Sequence, residues 1–196
     1  MEDYLYISND TYLTENFCKE IIEKFEADPN KKIGRTGNDK TVSQIKKCTD
    51  LELNPNSEWK DIHGSLDRFI EKVLLEYHKY LTETKNLPVF LCTLKRTGYN
   101  IQRYEPGEKF DWHHDDSPED KRIIAFIIYL NNLEKEAGGA TEFMYGRSIQ
   151  PSVGRVLFFP ATWNFVHRGA EVKHGKKYII TGFIKEKLTS KALDNN

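Results

Sequence analysis

Residues 104–115 read YEPGEKFDWHHD, and the two ends of the HxD triplet that closes this stretch decide most about the chain. His113 and Asp115 stand one residue apart. In a strand, side chains at i and i+2 leave the same face, so both can reach one ion. A third candidate ligand, His167, follows after FFPATWNFV, near the end of one strand-like run and before another. Two histidines and one carboxylate hold ferrous iron while leaving about three of six octahedral positions open for a bidentate co-substrate and dioxygen. The imidazoles must be neutral to donate, so metal affinity falls in acid. The run HHDD leaves a register ambiguity, because His114 and Asp116 have the same spacing. A polar turn in which none of the four binds metal is the plainer alternative.

Working outward, Lys177 lies ten residues after His167. A carboxylate taken out of water needs a cation and hydrogen-bond donors, and Lys177 suits the far end of a dicarboxylate. Read alone it is a surface lysine in the cluster KHGKK. Read with the three candidate ligands it argues for an iron(II)- and 2-oxoglutarate-dependent oxygenase.

The 196 residues fit one domain, 1–196, large enough to bury a core without disulfides. A formal net charge of -1 offers no global attraction to polyanions, so nucleic-acid binding is not expected. No apolar stretch is long enough to cross a bilayer, and no membrane association is expected; the run Ile123 to Leu130 is strand-sized. The opening MEDYLYISNDTYLTENF lacks a basic segment followed by an apolar run, which points to a cytoplasmic protein. Cys18, Cys48 and Cys92 form no CxxC pair and read as reduced thiols.

Along the chain, Tyr4 to Ser8 reads as a short strand. Thr14 caps a helix through about Ala27 with Phe17, Ile21, Ile22 and Phe25 on one face. Residues 30–58 are polar and contain Gly34 and Gly37; they read as a mobile loop or lid, or as a solvated connector. A second helix is expected from about Ser65 to Glu83, its stripe of Leu66, Phe69, Ile70, Val73, Leu74, Tyr77 and Leu81 facing a core. Strands then follow at Val89–Arg96, Tyr99–Glu105, Arg122–Asn131, Thr141–Tyr145, Val153–Phe159 and Lys177–Lys187, before a tail KLTSKALDNN. Helices followed by strands predict an α+β fold, with a helical support over about 1–88 and a catalytic β-region over about 89–187.

The whole segment 104–115 resembles the Y-x-x-G-x-x-[FY]-x-x-H-x-D motif of prolyl 4-hydroxylase-type iron(II)/2-oxoglutarate-dependent dioxygenases. Tyr104, Gly107, Phe110, His113 and Asp115 fall on it without a gap, which selects His113 over His114. YLNNLEKEAGGATEF resembles the family's Y-L-N…G-G-x-T-x-F stretch through Tyr129, Leu130, Asn131, Gly138, Gly139, Thr141 and Phe143. PSVGRVLFFP matches the next segment through Pro151, Gly154, Leu157 and Phe159. HRGAEVKHGKKY is similar to the closing H…V…G-x-K motif through His167, Val172, Gly175 and Lys177. The likeness spans about residues 99–186, with weaker similarity in the opening strand and first helix.

The resemblance implies a double-stranded β-helix, a form of jelly roll, with N-terminal helices packed on one sheet and iron held in one mouth. It implies His113, Asp115 and His167 as metal ligands, and 2-oxoglutarate chelated through its keto and C1-carboxylate oxygens, with Lys177 on the distal carboxylate. Tyr104, Tyr129 and Thr181 match positions around the co-substrate, although packing roles for Tyr129 and Thr181 stay open. Ascorbate is implied as the reductant of oxidised iron. Lysine, rather than arginine, ten positions after His167 is the habit of the collagen-type branch. Arg122 matches an arginine used near bound peptide, or else pairs with Asp120 or Glu119. Trp112 and Trp163 flank the ligands as an aromatic wall or as ordinary rim packing. Tyr178 and Phe183 stand where collagen-type members usually have tryptophan, and Phe183 is expected near the substrate mouth. The implied activity is hydroxylation of a peptidyl proline in a protein or peptide. The alternatives are the same chemistry on a lysyl residue, a free amino acid or a small metabolite, and a catalytically silent β-helix module.

Overall fold

The structure is a computed structural model that describes residues 4–8, 13–34, 44–87, 94–116 and 120–186. The first helix, α1 (Glu15–Ala27), begins where expected: the Thr14 hydroxyl accepts from the Phe17 amide at 3.2 Å. Cys18, Ile21 and Phe25 form its buried stripe. The second, α2 (Lys60–Lys79), starts five residues earlier than the sequence suggests. Ser65 resembles a cap but lies inside the helix, and Trp59 at the true start supplies no side-chain cap. A π-helical turn, Tyr80–Thr84, continues the winding and buries Leu81.

Among the described residues there are twelve strands, numbered in chain order: β1 (Tyr6–Ile7), β2 (Lys32–Ile33), β3 (Thr49–Glu52), β4 (Leu94–Arg96), β5 (Asn100–Tyr104), β6 (Phe110–His113), β7 (Arg122–Tyr129), β8 (Thr141–Phe143), β9 (Ser148–Ile149), β10 (Val156–Pro160), β11 (His167–Gly169) and β12 (Lys177–Glu186). They form a large antiparallel sheet in the order β1-β10-β7-β12-β5-β3-β2, with β4 also on β12, and a small one in the order β6-β11-β8-β9. The two sheets share a core of Tyr104, Ile127, Tyr129, Leu157, Phe159 and Ile179 from one side and Phe143 and Ile149 from the other. The helices cover the opposite face of the large sheet, over Ile101, Ile124, Phe126, Ile128, Phe158, Ile180 and Ile184. This is the expected α+β double-stranded β-helix. Because β7 is sandwiched between both cores, its sequence IIAFIIY lacks the alternation usual for antiparallel strands.

The chain before residue 88 gives more than helical support, since β1, β2 and β3 join the large sheet. Residues 35–43 of the expected 30–58 lid lie outside the described residues, as do 88–93, Cys92, Glu119 and the tail 187–196. The rest of 30–58 corrects the single-loop expectation. Lys46 bridges to Phe110 of the small sheet and β3 pairs with β5 of the large one, so this segment fastens the two sheets together. Its charged residues hid the pairing: of TDLE in β3, only Leu51 is buried.

Gly182 on β12 stands opposite Phe126 on β7, and a Cβ there would meet the Phe126 ring at 2.3 Å. Gly182→Ala is therefore expected to destabilise the protein by about 1–3 kcal/mol through overpacking. Urea unfolding should show a lower midpoint with an unchanged slope.

Candidate active site

His113 and His167 are direct cross-strand partners on β6 and β11. One rung further, Gly169 pairs with Phe110, so two residues of β11 span three of β6. This bulge turns both Phe110 and His113 inward, and their rings stack with centroids 3.6 Å apart at 10°. Asp115 lies just past the end of β6 and is mostly covered, whereas His114 and Asp116 are exposed. The register ambiguity in HHDD is thus resolved toward His113 and Asp115.

Both imidazoles are oriented from behind. His113 Nδ1 sits 2.7 Å from the Asp111 carbonyl and His167 Nδ1 3.0 Å from that of Phe165. A carbonyl only accepts, so Nδ1 carries the proton and the Nε2 lone pairs face the interior. His113 Nε2 is 3.7 Å from Asp115 Oδ1, and His167 Nε2 is 3.5 Å from Oδ2. One ligand atom from each residue lies within 4.8 Å of the others, and among the described residues this is the one such cluster. Burial, with the neighbouring His167, pushes His113 down to about 4; burial likewise pushes His167 down to about 4. Burial raises Asp115, a cost that a bound cation would remove. Neutral nitrogens with oriented lone pairs beside a buried carboxylate fit a divalent iron ion.

Deeper in the same chamber lies Lys177, 2% exposed. Its Nζ stands 5.4 Å from the Tyr104 ring centre and 6.0 Å from that of Tyr129. Among the described residues no carboxylate pairs with it, and burial pushes it down to about 8. The Tyr104 hydroxyl donates to Gln102 Oε1 at 2.8 Å, and that of Tyr129 to Thr141 Oγ1 at 2.7 Å. Tyr129 is thus committed to a neighbour, while the Thr141 hydrogen is left to be donated elsewhere. Gln102 was not singled out from the sequence, and Thr141 was named there only as a motif position. The signal for Gln102 was a polar residue two positions from Tyr104, on the same face of a strand. Thr181 faces inward too, but four positions from Lys177 along β12, or ~13 Å. That removes it from the Lys177 end of the chamber.

At the other end of β12, Arg122 lies over the Phe183 ring at 4.0 Å. The guanidinium pairs with Asp120 at 2.7 Å, the ion pair that was one of its two expected roles, and reaches the Asp115 carbonyl at 3.4 Å. Trp163 is 72% exposed in the turn before His167. Trp112 is also exposed and stacks on Arg168 at 4.6 Å, away from the inward-facing His113.

Residues 99–185, which include every residue of this chamber named above, match the 2OG-Fe(II) oxygenase superfamily. Over those residues the chain resembles that superfamily. It is 26% identical over 163 residues to prolyl 4-hydroxylase 1 of Arabidopsis thaliana, covering 66% of this chain and 56% of that protein. The chain spans between 40% and 56% of the length of the curated relatives it matches. Its fold is similar to that of a viral collagen prolyl hydroxylase from Paramecium Bursaria Chlorella virus-1 in its 2-oxoglutarate complex, with TM-score 0.70, 18% identity, and 94% and 97% of the two chains covered. A prolyl hydroxylase from Trichoplax adhaerens, in complex with a hypoxia inducible factor peptide fragment, gives TM-score 0.73 at 16% identity over 99% of this chain and 88% of that one. The prolyl 4-hydroxylase-type resemblance drawn from the motifs is borne out by these relatives. The superfamily implies iron(II), 2-oxoglutarate and dioxygen, and the triad supplies the donors.

The histidines also set a pH dependence. Unfolded imidazoles protonate near pH ~6.5, whereas folded His113 and His167 protonate near 4. Between these values the unfolded chain binds more protons, so stability falls as pH drops through the window. Metal-free protein titrated with urea at successive pH values should lose stability from about pH 6.5 toward 4. His113→Asn with His167→Asn should flatten that slope.

Proposed function

We propose that this protein is an iron(II)- and 2-oxoglutarate-dependent dioxygenase that hydroxylates a prolyl residue in a peptide or protein. One observation carries the reading: the buried ammonium of Lys177, with no carboxylate partner among the described residues, shares a chamber with the triad His113, Asp115 and His167. A buried charge is retained only if something neutralises it, and the distal carboxylate of 2-oxoglutarate is of the right charge. The names of the relatives support proline as the target.

His113, Asp115 and His167 would hold the iron. When bound, iron(II) with 2-oxoglutarate and dioxygen supplies an oxidant for an unactivated C–H bond, releasing succinate and carbon dioxide. The chain's own contribution is placement and charge. Lys177 anchors the distal carboxylate, which restores the ammonium that burial disfavours. Thr141 offers a hydroxyl hydrogen to the same group, and the Tyr104 and Tyr129 rings wall the pocket against water. Arg122 on Phe183, at the mouth end of β12, and exposed Trp163 are the surfaces offered to a peptide. Ascorbate as reductant and a cytoplasmic setting complete the proposal; the unpaired thiols of Cys18 and Cys48 are compatible with the latter.

The test is incubation with iron(II), 2-oxoglutarate and proline-containing peptides, read by mass spectrometry for one added oxygen and by succinate release. Oxygen on proline supports the proposal; activity confined to lysyl peptides or free amino acids would overturn the substrate and keep the chemistry. In the same assay Lys177→Met should raise KM for 2-oxoglutarate roughly 10- to 100-fold, the equivalent of the ~1.5–3 kcal/mol of a charge-assisted hydrogen bond. Iron affinity, measured by anaerobic titration, should stay unchanged.

A further inference from the structure

The chamber contains a second buried ammonium, which none of the motifs includes. Lys46 is 4% exposed. It belongs to the stretch that runs beside β6, where Asp111 N donates to the Ile45 carbonyl at 2.7 Å and Lys47 N to that of Lys109 at 2.9 Å. Lys46 Nζ pairs with Asp50 Oδ2 at 2.7 Å, and Asp50 Oδ1 accepts from the Cys48 thiol at 3.0 Å. The same ammonium stands 5.3 Å from the centre of the Phe110 ring. That ring lies flat against His113. A buried ion pair is a poor source of stability, since well-packed apolar residues serve as well or better. Fastening this segment therefore does not explain the charge, but its place against Phe110 does.

We propose that Lys46 is a positioning residue for charge at the metal centre: through Phe110 and His113 its ammonium favours iron(II) over iron(III). The inference rests on the iron reading above. Losing one electron to an oxidant adds one positive charge at the metal, and a cation in the same low-dielectric chamber opposes that addition. The cation–π contact draws electron density of the Phe110 ring toward Lys46. The His113 face stacked on that ring is left a poorer donor, which disfavours the more electron-demanding ferric ion. Asp50 damps the effect by neutralising part of the ammonium's field.

This arrangement yields a sign test that a merely structural ion pair would fail. Iron(II) is loaded anaerobically into the native protein and into Lys46→Met, Lys46→Arg and Asp50→Asn. The midpoint potential is measured by mediated titration through the ferric electron paramagnetic resonance signal, with a thermal melt for each variant. Lys46→Met should lower the potential, Asp50→Asn should raise it, and Lys46→Arg should stay near the native value. Shifts of one sign in Lys46→Met and Asp50→Asn, or no shift in either, would overturn the proposal. If Asp50→Asn does not fold, the Met and Arg variants decide: a fall in Met that Arg does not share supports it, and equal behaviour refutes it. Failure of the native protein to bind iron(II) would overturn the metal reading as well. Binding with shifts of one sign overturns this inference alone.

Discussion

His113 and His167 occupy one rung of an antiparallel ladder, and the chamber around them depends on that rung keeping its register. A slip of one residue on either strand would turn an imidazole outward. The small sheet is too slight to resist this by itself, because β8, β9 and β11 are two or three residues long. Its hold comes from the packing between sheets. Phe143, opposite His167 on β8, meets Phe159 of the large sheet edge to face at 5.1 Å. Residues 45–47 flank β6 and continue into β3 of the large sheet. Two ligands on minimal strands are thus positioned by a sheet to which neither belongs.

Burial then sorts the charges of the interior in opposite senses. It keeps both histidines neutral, which is the form a metal needs, and it makes Lys177 and Asp115 costly until something binds. The buried carboxylate of Asp115 suits a metal ion and the buried ammonium of Lys177 suits an anion. Aromatic faces from Tyr104 and Tyr129 soften the burial of that ammonium without cancelling it, since a ring quadrupole offsets only part of an ammonium's lost hydration. Lys46 differs from Lys177 because Asp50 neutralises it in place.

What could be read from the sequence follows from which residues announce themselves. Thr14 and the periodic stripes of α1 and α2 gave the helices, and the long apolar run of β7 gave the central strand. The triad and Lys177 were legible because their spacings match several motifs in order. The strands β2, β3, β6, β9 and β11 were not, for they are two to four residues long and carry charged or functional side chains in place of alternating apolar ones. The bulge at Phe110–His113 exists only once β6 and β11 are paired. Lys46 was invisible for a related reason: a buried polar residue looks like a surface one until its partners are known.

The two departures from the family's tryptophans, Tyr178 and Phe183, sit on the same strand yet have unrelated consequences, because five residues apart means opposite faces. Phe183 faces the chamber and its ring carries Arg122. Tyr178 faces the helices. Its hydroxyl donates to Glu26 of α1 at 2.6 Å, and Arg103 on the neighbouring strand grips the same carboxylate at 2.7 and 3.0 Å. Lys177 immediately precedes Tyr178, so the strand that presents the anchoring ammonium is tied from behind to the end of α1. The helical layer therefore does more than shield the sheet: it fixes where the chamber's deepest cation begins.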